Sequence, residues 1–503
     1  MINEPLYTGM IALPFLAAPL VYLFGRLTAR KGQKWGIVLT RTIAVAALLA
    51  DIFLWYLNVR NAFGGNSPSL YIGMVLVRLD GIGLLLTSVT LLLGLLVTVF
   101  SIPYMANEEN EEKFYALLLM TVGSIIGIGF TQDLFNMWIF FEAMAISTYF
   151  LVTFYNNQPA SLEAGIKYLV QSAVGSALAL FGIAAILAGI GSTDFANIWQ
   201  LSGNLGGLGT IGIVLMIVGF GVKAALVPMH TWLPDAHSQA PSGISAMLSG
   251  IVIEAGLIAM IRSISLMGKL GGSWGFILIG FACLNILVGN LLALRQTEVK
   301  RLLAFSSLAH MGYMVFGLGI GLAFSSGDGG AGGFFHLITH ALMKGLAFLA
   351  AGALLYTLHL SKGSHKALTL DDLNGASRKY PLMAIGLSVA VLALGGIPPF
   401  AGFMSKWLIL LAGAETRNAW MLAAVVFVGL NSVLSLAYYA PIVNRLFKRE
   451  TSPVVEQGSK MPWLMAVPVV VLILLTIFIG IWPTSLEMFY GNAVNTLLTF
   501  YFS

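Results

Sequence analysis

Charged residues are scarce in this sequence of 503 residues: Asp, Glu, Lys and Arg together make up 9%, whereas apolar residues make up 58%. Soluble domains carry about 25% charged residues, so the composition excludes a soluble multidomain protein. The apolar residues form repeated runs of about 20 residues, the length that a helix needs to cross a bilayer. The composition therefore predicts an all-α integral membrane protein with about fourteen transmembrane helices.

Cysteine is almost absent, since Cys283 is the only one in the sequence. A single cysteine cannot form a disulfide framework within the chain, and it cannot supply the ligands of an iron–sulfur cluster.

The N-terminus, MINEPLYTG, also lacks a basic segment, so we expect its first helix to be retained and not cleaved as a signal. The net charge of +5 is explained first by membrane orientation, and we expect a lipid bilayer as partner and no nucleic acid.

Basic residues are distributed unevenly between the loops on the two sides of the predicted membrane. Those in the loops after odd-numbered spans are Arg26, Arg30, Lys31, Lys34, Lys113, Arg295, Lys300, Arg301, Lys362, Lys366, Arg378, Lys379, Arg445, Lys448, Arg449 and Lys460. Those on the opposite side are Arg60, Arg78, Arg262, Lys269 and Arg417. By the positive-inside rule the larger group faces the cytoplasm, so an even number of spans places both termini outside a prokaryotic-type cell (inner) membrane.

A small set of ionisable residues interrupts the apolar spans. They are Glu142, Lys167, Lys223, Glu254, His310, His336, His340, Lys344 and Lys406. A charge near the middle of a bilayer is costly, so such residues normally face the protein interior and serve a function. A fixed ion pair between Glu142 and Lys223 would be a purely structural alternative. Because acids, lysines and histidines recur across several spans, the pattern favours a proton relay.

Three of these residues are spaced four apart, since His336, His340 and Lys344 lie in FFHLITHALMKGLAFLAAG. This spacing stacks them on one helix face. Two histidines at this spacing can hold a metal, but the HExxH signature and a third ligand are missing, so we prefer a proton or water path to a metal site. For Glu254 we expect either a neutral carboxyl or a carboxylate paired with a lysine such as Lys223.

Prolines lie beside two of the buried lysines. Pro228 follows Lys223 in VKAALVPMHTWLPDAHSQAP, and Pro398–Pro399 precede Lys406 in GGIPPFAGFMSKW. Proline removes a backbone donor and breaks a helix, and in membranes such breaks occur where a span lines a cavity. Two lysines beside two breaks suggest two related halves, as in transporters that handle ions at broken helices. Kinked but inactive helices are the alternative.

Four motifs, VKAALVPMHTWLPDAHSQAPSGISAMLSG, KRLLAFSSLAHMGYM, THALMKGLAFLAAG and GGIPPFAGFMSKW, closely resemble one family of membrane proteins. That family comprises the antiporter-like subunits shared by respiratory complex I, Mrp-type sodium/proton antiporters and membrane-bound energy-converting hydrogenases. The resemblance implies two inverted five-helix repeats with helices 7 and 12 broken. It divides the chain into an N-terminal three-helix segment (1–105), two repeats (106–264 and 265–449) and a C-terminal helix and tail (450–503).

The resemblance also implies roles for residues. Glu142 matches the glutamate of span 5, Lys223 the lysine of span 7 and Lys406 the span-12 residue. The implied connecting polar axis holds His310, His336 and His340, while Lys344 matches the lysine of the HALxKG motif and Lys167 that of span 6. The chain would be a non-catalytic subunit that moves protons, with sodium as the alternative ion. It would carry no cofactor and would assemble with other membrane subunits and with redox subunits.

One position departs from the family pattern, because Glu254 stands where many complex I relatives have lysine. This departure, together with the SKW ending of the span-12 motif, favours a hydrogenase-like or Mrp-like complex over complex I itself. Two functions of other classes stay open at this point. A stand-alone carrier of a solute or ion would expose a roomy pocket near the membrane midplane. In a structural scaffold, the polar residues would only satisfy one another.

Overall fold

The computed structural model describes residues 4–29, 35–63, 70–72, 75–106, 108–268 and 274–502. Within these ranges, thirteen helices are long and apolar enough to cross a membrane, and a fourteenth span is counted where two helices are bent against each other at 371–395. The prediction of an all-α membrane protein with about fourteen spans is confirmed. The described residues also contain one short antiparallel hairpin, which was not predicted.

The N-terminal part of the chain forms three long helices and this hairpin. Its elements are α1 (Glu4–Ala29), α2 (Trp35–Phe63), β1 (Leu70–Ile72), β2 (Val75–Val77) and α3 (Gly81–Tyr104). The two strands pair antiparallel, with Leu70 opposite Val77. Asp80 caps α3, since its carboxylate accepts a hydrogen bond from the backbone N–H of Gly83 at 2.7 Å. The same carboxylate forms a buried salt bridge with Arg262 at 2.7 Å, which ties the segment to the next group of helices.

The next group of helices contains the first interrupted span. Its elements are α4 (Glu111–Phe130), α5 (Leu134–Val152), α6 (Pro159–Ile190), α7 (Phe195–Leu201), α8 (Gly206–Lys223), α9 (Trp232–Gln239), α10 (Ser242–Met247) and α11 (Ile253–Leu266). A π-helical turn, Leu248–Val252, joins α10 to α11. The span is broken around Pro228, as predicted. At the break, the carbonyl of Val222 accepts from the Trp232 indole N–H at 2.8 Å, and the side chain of Asn285 accepts from the N–H of Val227 at 2.8 Å.

The following group contains the second interrupted span. Its elements are α12 (Trp274–Ala293), α13 (Val299–Phe324), α14 (Gly327–Leu358), α15 (Pro381–Gly395), α16 (Ala401–Glu415) and α17 (Ala419–Leu446). The interruption between α15 and α16 contains Pro398 and Pro399, again as predicted. Gly396 adopts a positive φ of 80° there, a conformation that glycine adopts without a steric penalty. The interrupted span thus occupies the same place, fourth of five, in both groups.

The C-terminal part of the chain contains three α-helices within the described residues 450–502. Its elements are α18 (Pro453–Glu456), α19 (Trp463–Ile481) and α20 (Glu487–Phe502). The predicted tail is therefore helical over α20. This helix packs against the start of α3, where the hydroxyl of Thr496 accepts a hydrogen bond from the N–H of Gly81 at 3.1 Å. Ala493 and Leu497 of α20 are fully buried, which explains why this segment is folded.

Candidate ion-translocation site

Lys223 is the last residue of α8 and is 1% exposed. Its ammonium donates to the hydroxyl of Tyr168 and lies 3.5 Å from that of Thr148. The two hydroxyls are themselves hydrogen-bonded at 2.8 Å. The ammonium also lies 4.2 Å from the ring centre of Tyr168 and 5.9 Å from that of Trp232. A buried cation is stabilised here by hydroxyl oxygens and aromatic faces.

Glu142 lies on α5, six residues before Thr148, and is half-buried. No salt bridge joins it to Lys223 in the described part of the chain, and its Oε1 has no hydrogen-bond partner there. Glu142 and Lys223 are therefore not joined by a direct ion pair, and the electrostatic coupling of the two residues stays a prediction. The hydroxyls of Thr148 and Tyr168, which sequence reasoning missed, hold the lysine instead.

Glu254 pairs with a histidine and not with Lys223 or another lysine. Its Oε1 lies 2.8 Å from Nδ1 of His340, and both side chains are fully buried. The second oxygen of Glu254 and Nε2 of His340 have no partner among the described residues. Gly250, in the π-helical turn one turn earlier, packs closely against the backbone of Ala341 of α14.

The histidines predicted for the polar axis are brought together. His310 Nδ1 and His336 Nε2 share a hydrogen bond of 3.0 Å, and the ring centres of His310 and His340 are 5.3 Å apart. His336 Nδ1 lies 2.8 Å from the hydroxyl of Ser405, the residue before Lys406. All three rings are buried, so α13, α14 and α16 together enclose a row of groups that can both donate and accept.

Lys344 and Lys406, the two lysines predicted within the spans of this half, bind backbone carbonyls and serine hydroxyls. Lys344 donates to the carbonyl of Leu303 at 2.7 Å and to the hydroxyl of Ser306. Lys406 donates to the carbonyl of Leu394, at the end of α15, at 2.8 Å and to Ser432 at 3.0 Å. The Lys406 ammonium therefore satisfies a carbonyl that the helix break leaves free.

The ring of Tyr313 adds an aromatic face to this second lysine site, because its centre lies 4.6 Å from the Lys406 ammonium. Buried ammonium groups thus stand beside both helix breaks, each against at least one aromatic ring.

Lys167 lies outside this axis. It is 44% exposed and forms salt bridges with Glu163 at 2.7 Å and with Asp235 at 2.9 Å. Asp235 also binds Arg301 of α13 at 2.8 Å. These contacts fix the short helix α9 to its neighbours.

His237 of α9 is buried and stacks on Phe348 with ring centres 4.8 Å apart. Within the described ranges, no group of three or more His, Cys, Asp or Glu residues is placed to hold a metal.

Comparisons with known proteins give consistent results along the chain. Residues 131–432 match the family model described as "NADH:quinone oxidoreductase/Mrp antiporter, TM". Residues 71–115 match the model described as "NADH-Ubiquinone oxidoreductase (complex I), chain 5 N-terminus".

Two curated relatives illustrate the level of similarity. The F(420)H(2) dehydrogenase subunit N of Methanosarcina mazei is 32% identical over 91% of this chain and 92% of its own length. The NADH-quinone oxidoreductase subunit N of Deinococcus radiodurans is 34% identical over 76% of this chain and 75% of its own.

Solved structures of similar fold cover nearly the whole chain. A chain of the membrane-bound sulfane sulfur reductase, an archaeal respiratory membrane complex, has a TM-score of 0.88 and 28% identity, covering 99% of both chains. A chain of respiratory complex I from Thermus thermophilus has a TM-score of 0.75 and 26% identity, covering 95% of this chain and 98% of its own. A chain of the Mrp complex from Dietzia sp. has a TM-score of 0.84 at 23% identity. The last of these is a likeness of fold alone.

Proposed function

Because the chain belongs to the NADH:quinone oxidoreductase/Mrp antiporter family of membrane subunits, we propose that it translocates protons within a multi-subunit membrane complex. The relatives named above are subunits of dehydrogenases or chains of respiratory complexes. By analogy, the partners of this chain are other membrane subunits, and the redox centres reside in separate subunits. The preference for a hydrogenase-like or Mrp-like complex, which rests on Glu254 and on the SKW ending of the span-12 motif, stays a prediction.

One observation carries the proposal: a row of buried groups runs from the second helix break towards the first. It begins at Lys406 and Ser405, continues through the histidines, and ends at Glu254, hydrogen-bonded to His340. Each member of the row from Ser405 to Glu254 can accept and donate a proton in turn. A scaffold needs no such series, because a few mutually satisfied pairs would suffice.

The chemistry of this row favours protons over sodium. Hard cations are bound by sets of oxygen ligands, whereas the centre of this row consists of histidine nitrogens with lysines at or near its ends. Imidazole nitrogens and lysine ammonium groups are proton carriers and not ligands for an alkali cation. We therefore assign the proton as the transported ion.

The orientation of the chain is also part of the proposal. The bias of basic loop residues supports an arrangement with both termini outside the cytoplasm. Four of the residues that contribute to this bias, Arg30, Lys31, Lys34 and Lys269, lie outside the described residues. Cysteine-accessibility labelling of a residue introduced into the loop at 361–380 tests it, since that loop is expected in the cytoplasm.

Lys223→Met tests the function. Methionine keeps a long apolar side chain beside the rings of Tyr168 and Trp232, but it carries no charge and no exchangeable proton. We expect proton translocation by the reconstituted complex to be abolished or strongly reduced while the complex still assembles. Lys167→Met is the matched control, because Lys167 lies outside the axis and is partly exposed. Normal gradient formation by Lys223→Met would refute the proposed function.

A further inference from the structure

Asp51 is an isolated carboxyl group within the span Trp35–Val59 of α2. It is fully buried, and neither carboxyl oxygen has a hydrogen-bond partner among the described residues. The surrounding sequence, ALLADIFLW, offers no polar neighbour. The proposed translocation site does not include this residue. An aspartate inside a membrane span without a partner therefore needs its own explanation.

Among the described side chains of α1 to α4, none supplies a counter-ion to Asp51. Leu48, one turn earlier, approaches Gly94 of α3, and Leu54 approaches Gly9 of α1, so this part of α2 packs against both neighbouring helices. The other titratable residues of α1 to α4 whose side chains are described are Tyr22, Arg26, Arg41, Tyr56, Tyr104, Glu111, Glu112, Lys113 and Tyr115. The charged members of this set lie near helix ends, where Arg41 binds Glu111 at 2.6 Å and Arg26 lies 3.9 Å from Glu112.

An apolar cavity of about 300 Å³ lies beside Asp51 along α2. Ile52 and Trp55, the next residue and the residue one turn on, line this cavity together with Leu91 of α3. Ile338 and Leu342 of α14 line it from the other side. Ile338 and Leu342 belong to α14, which also carries His336 and His340, whereas Asp51 is not among the residues that line the cavity.

We propose that Asp51 is a second proton-binding site of this chain, located in the N-terminal helices and separate from the axis, and that its carboxyl group gains and loses a proton during translocation. An unpaired carboxylate in an apolar interior is strongly disfavoured relative to the neutral acid, so Asp51 is held with its proton. It releases that proton only when a base or water approaches. The translocation part of this inference rests on the proposed function, whereas the proton-binding part does not.

Dicyclohexylcarbodiimide tests the protonated state directly, because it is soluble in the bilayer and reacts with protonated carboxyl groups. The carboxyl oxygen bonds to the central carbon of the reagent while the acid proton passes to one of its nitrogens. The acyl group then shifts to nitrogen and gives a stable N-acylurea without a leaving group. We expect peptide mass spectrometry of the complex, treated in native membranes, to find this adduct on Asp51.

Glu111 is the matched control for the label. It is almost as buried as Asp51, at 5% exposed, but its carboxylate is held by the guanidinium of Arg41. It should stay unmodified because an ion-paired carboxylate carries no proton. An unmodified Asp51, or modification of Glu111 in its place, would overturn the inference.

Two substitutions test the role in translocation. Asp51→Asn keeps the size and polarity but cannot carry a proton, so the label should be lost and translocation should fall while the complex assembles. Asp51→Glu should restore both. Wild-type translocation in Asp51→Asn would overturn the inference. If Asp51→Asn does not assemble, the label on the wild-type chain and the activity of Asp51→Glu decide the matter. If Lys223→Met also translocates normally, the proposed function has failed as well, and the label reports on Asp51 alone.

Discussion

Glu254 separates a relay role from a structural role most sharply, because its contact with His340 is short and fully buried. The substitutions Glu254→Gln and Glu254→Leu affect this contact differently. The glutamine amide preserves the shape and can donate to or accept from Nδ1 of His340, depending on the histidine tautomer. Leucine leaves that nitrogen without a partner. The two variants therefore separate hydrogen bonding from proton exchange.

The expected magnitudes follow from the burial of the pair. Leaving one polar atom unsatisfied in a fully buried site costs about 1–3 kcal/mol, and removing one member of a buried charged pair costs about 3–5 kcal/mol. We expect Glu254→Leu to destabilise the subunit by an amount in this range, measured as faster thermal dissociation of the purified complex. Glu254→Gln should stay close to the wild type in the same assay, since its hydrogen bond persists.

The translocation assay should not separate the two variants as the stability assay does. Glutamine cannot bind and release a proton, so both variants should lose translocation even though only Glu254→Leu loses stability. The measurement is proton uptake by the reconstituted complex between about pH 6 and pH 8, the range in which histidine changes its charge. Wild-type rates for Glu254→Gln across this range would show that Glu254 is structural and that the relay runs through the histidines alone.

Three further predictions follow from the site. Lys406→Ala should impair translocation more than Lys406→Arg, since arginine can still donate to the carbonyl of Leu394; equal, wild-type activity of both variants would make the second half structural. Glu142→Gln should resemble Lys223→Met in the translocation assay, because both changes remove the same through-space coupling, and an unimpaired Glu142→Gln variant would contradict it. Lys167→Met should translocate normally, because its salt bridges are partly exposed and lie outside the axis; loss of translocation with intact assembly would place Lys167 in the path.

Local chemistry explains what could be predicted from the sequence. A proline in a helix interior removes a backbone donor, and the position of Pro228 and of Pro398–Pro399 beside a buried lysine indicated both breaks. Other prolines lie inside continuous helices, as in α1 and α19, so proline alone would not have located them. The four-residue spacing of His336 and His340 likewise placed both on one face of α14. Such inferences need only the chain's own periodicity.

Contacts between distant helices explain what could not be predicted. The ammonium of Lys223 is surrounded by Thr148, Tyr168 and Trp232. These residues lie on three other helices, and no spacing rule in the sequence connects them. Adjacent residues on a helix can also face different surroundings, because consecutive positions are rotated by about 100°. Tyr168 faces Lys223, whereas Lys167 points to the partly exposed side. The partner of Glu254 is likewise distant, since His340 lies on α14, 86 residues further along the chain.

The proposed proton-binding groups differ between the two halves of the molecule, and this difference locates the junction between the halves. The first half holds one ammonium against aromatic faces and hydroxyls, whereas the second half presents a row of histidines. Glu254 ends that row, and Gly256, two residues further on, packs closely against the backbone of Lys223. Because consecutive helix positions are rotated by about 100°, the side chain of Glu254 points about 200° away from the side of Gly256. Within the described chain it is hydrogen-bonded to His340 and not to Lys223. Any movement that brings the carboxyl group of Glu254 towards Lys223 must break its bond with His340.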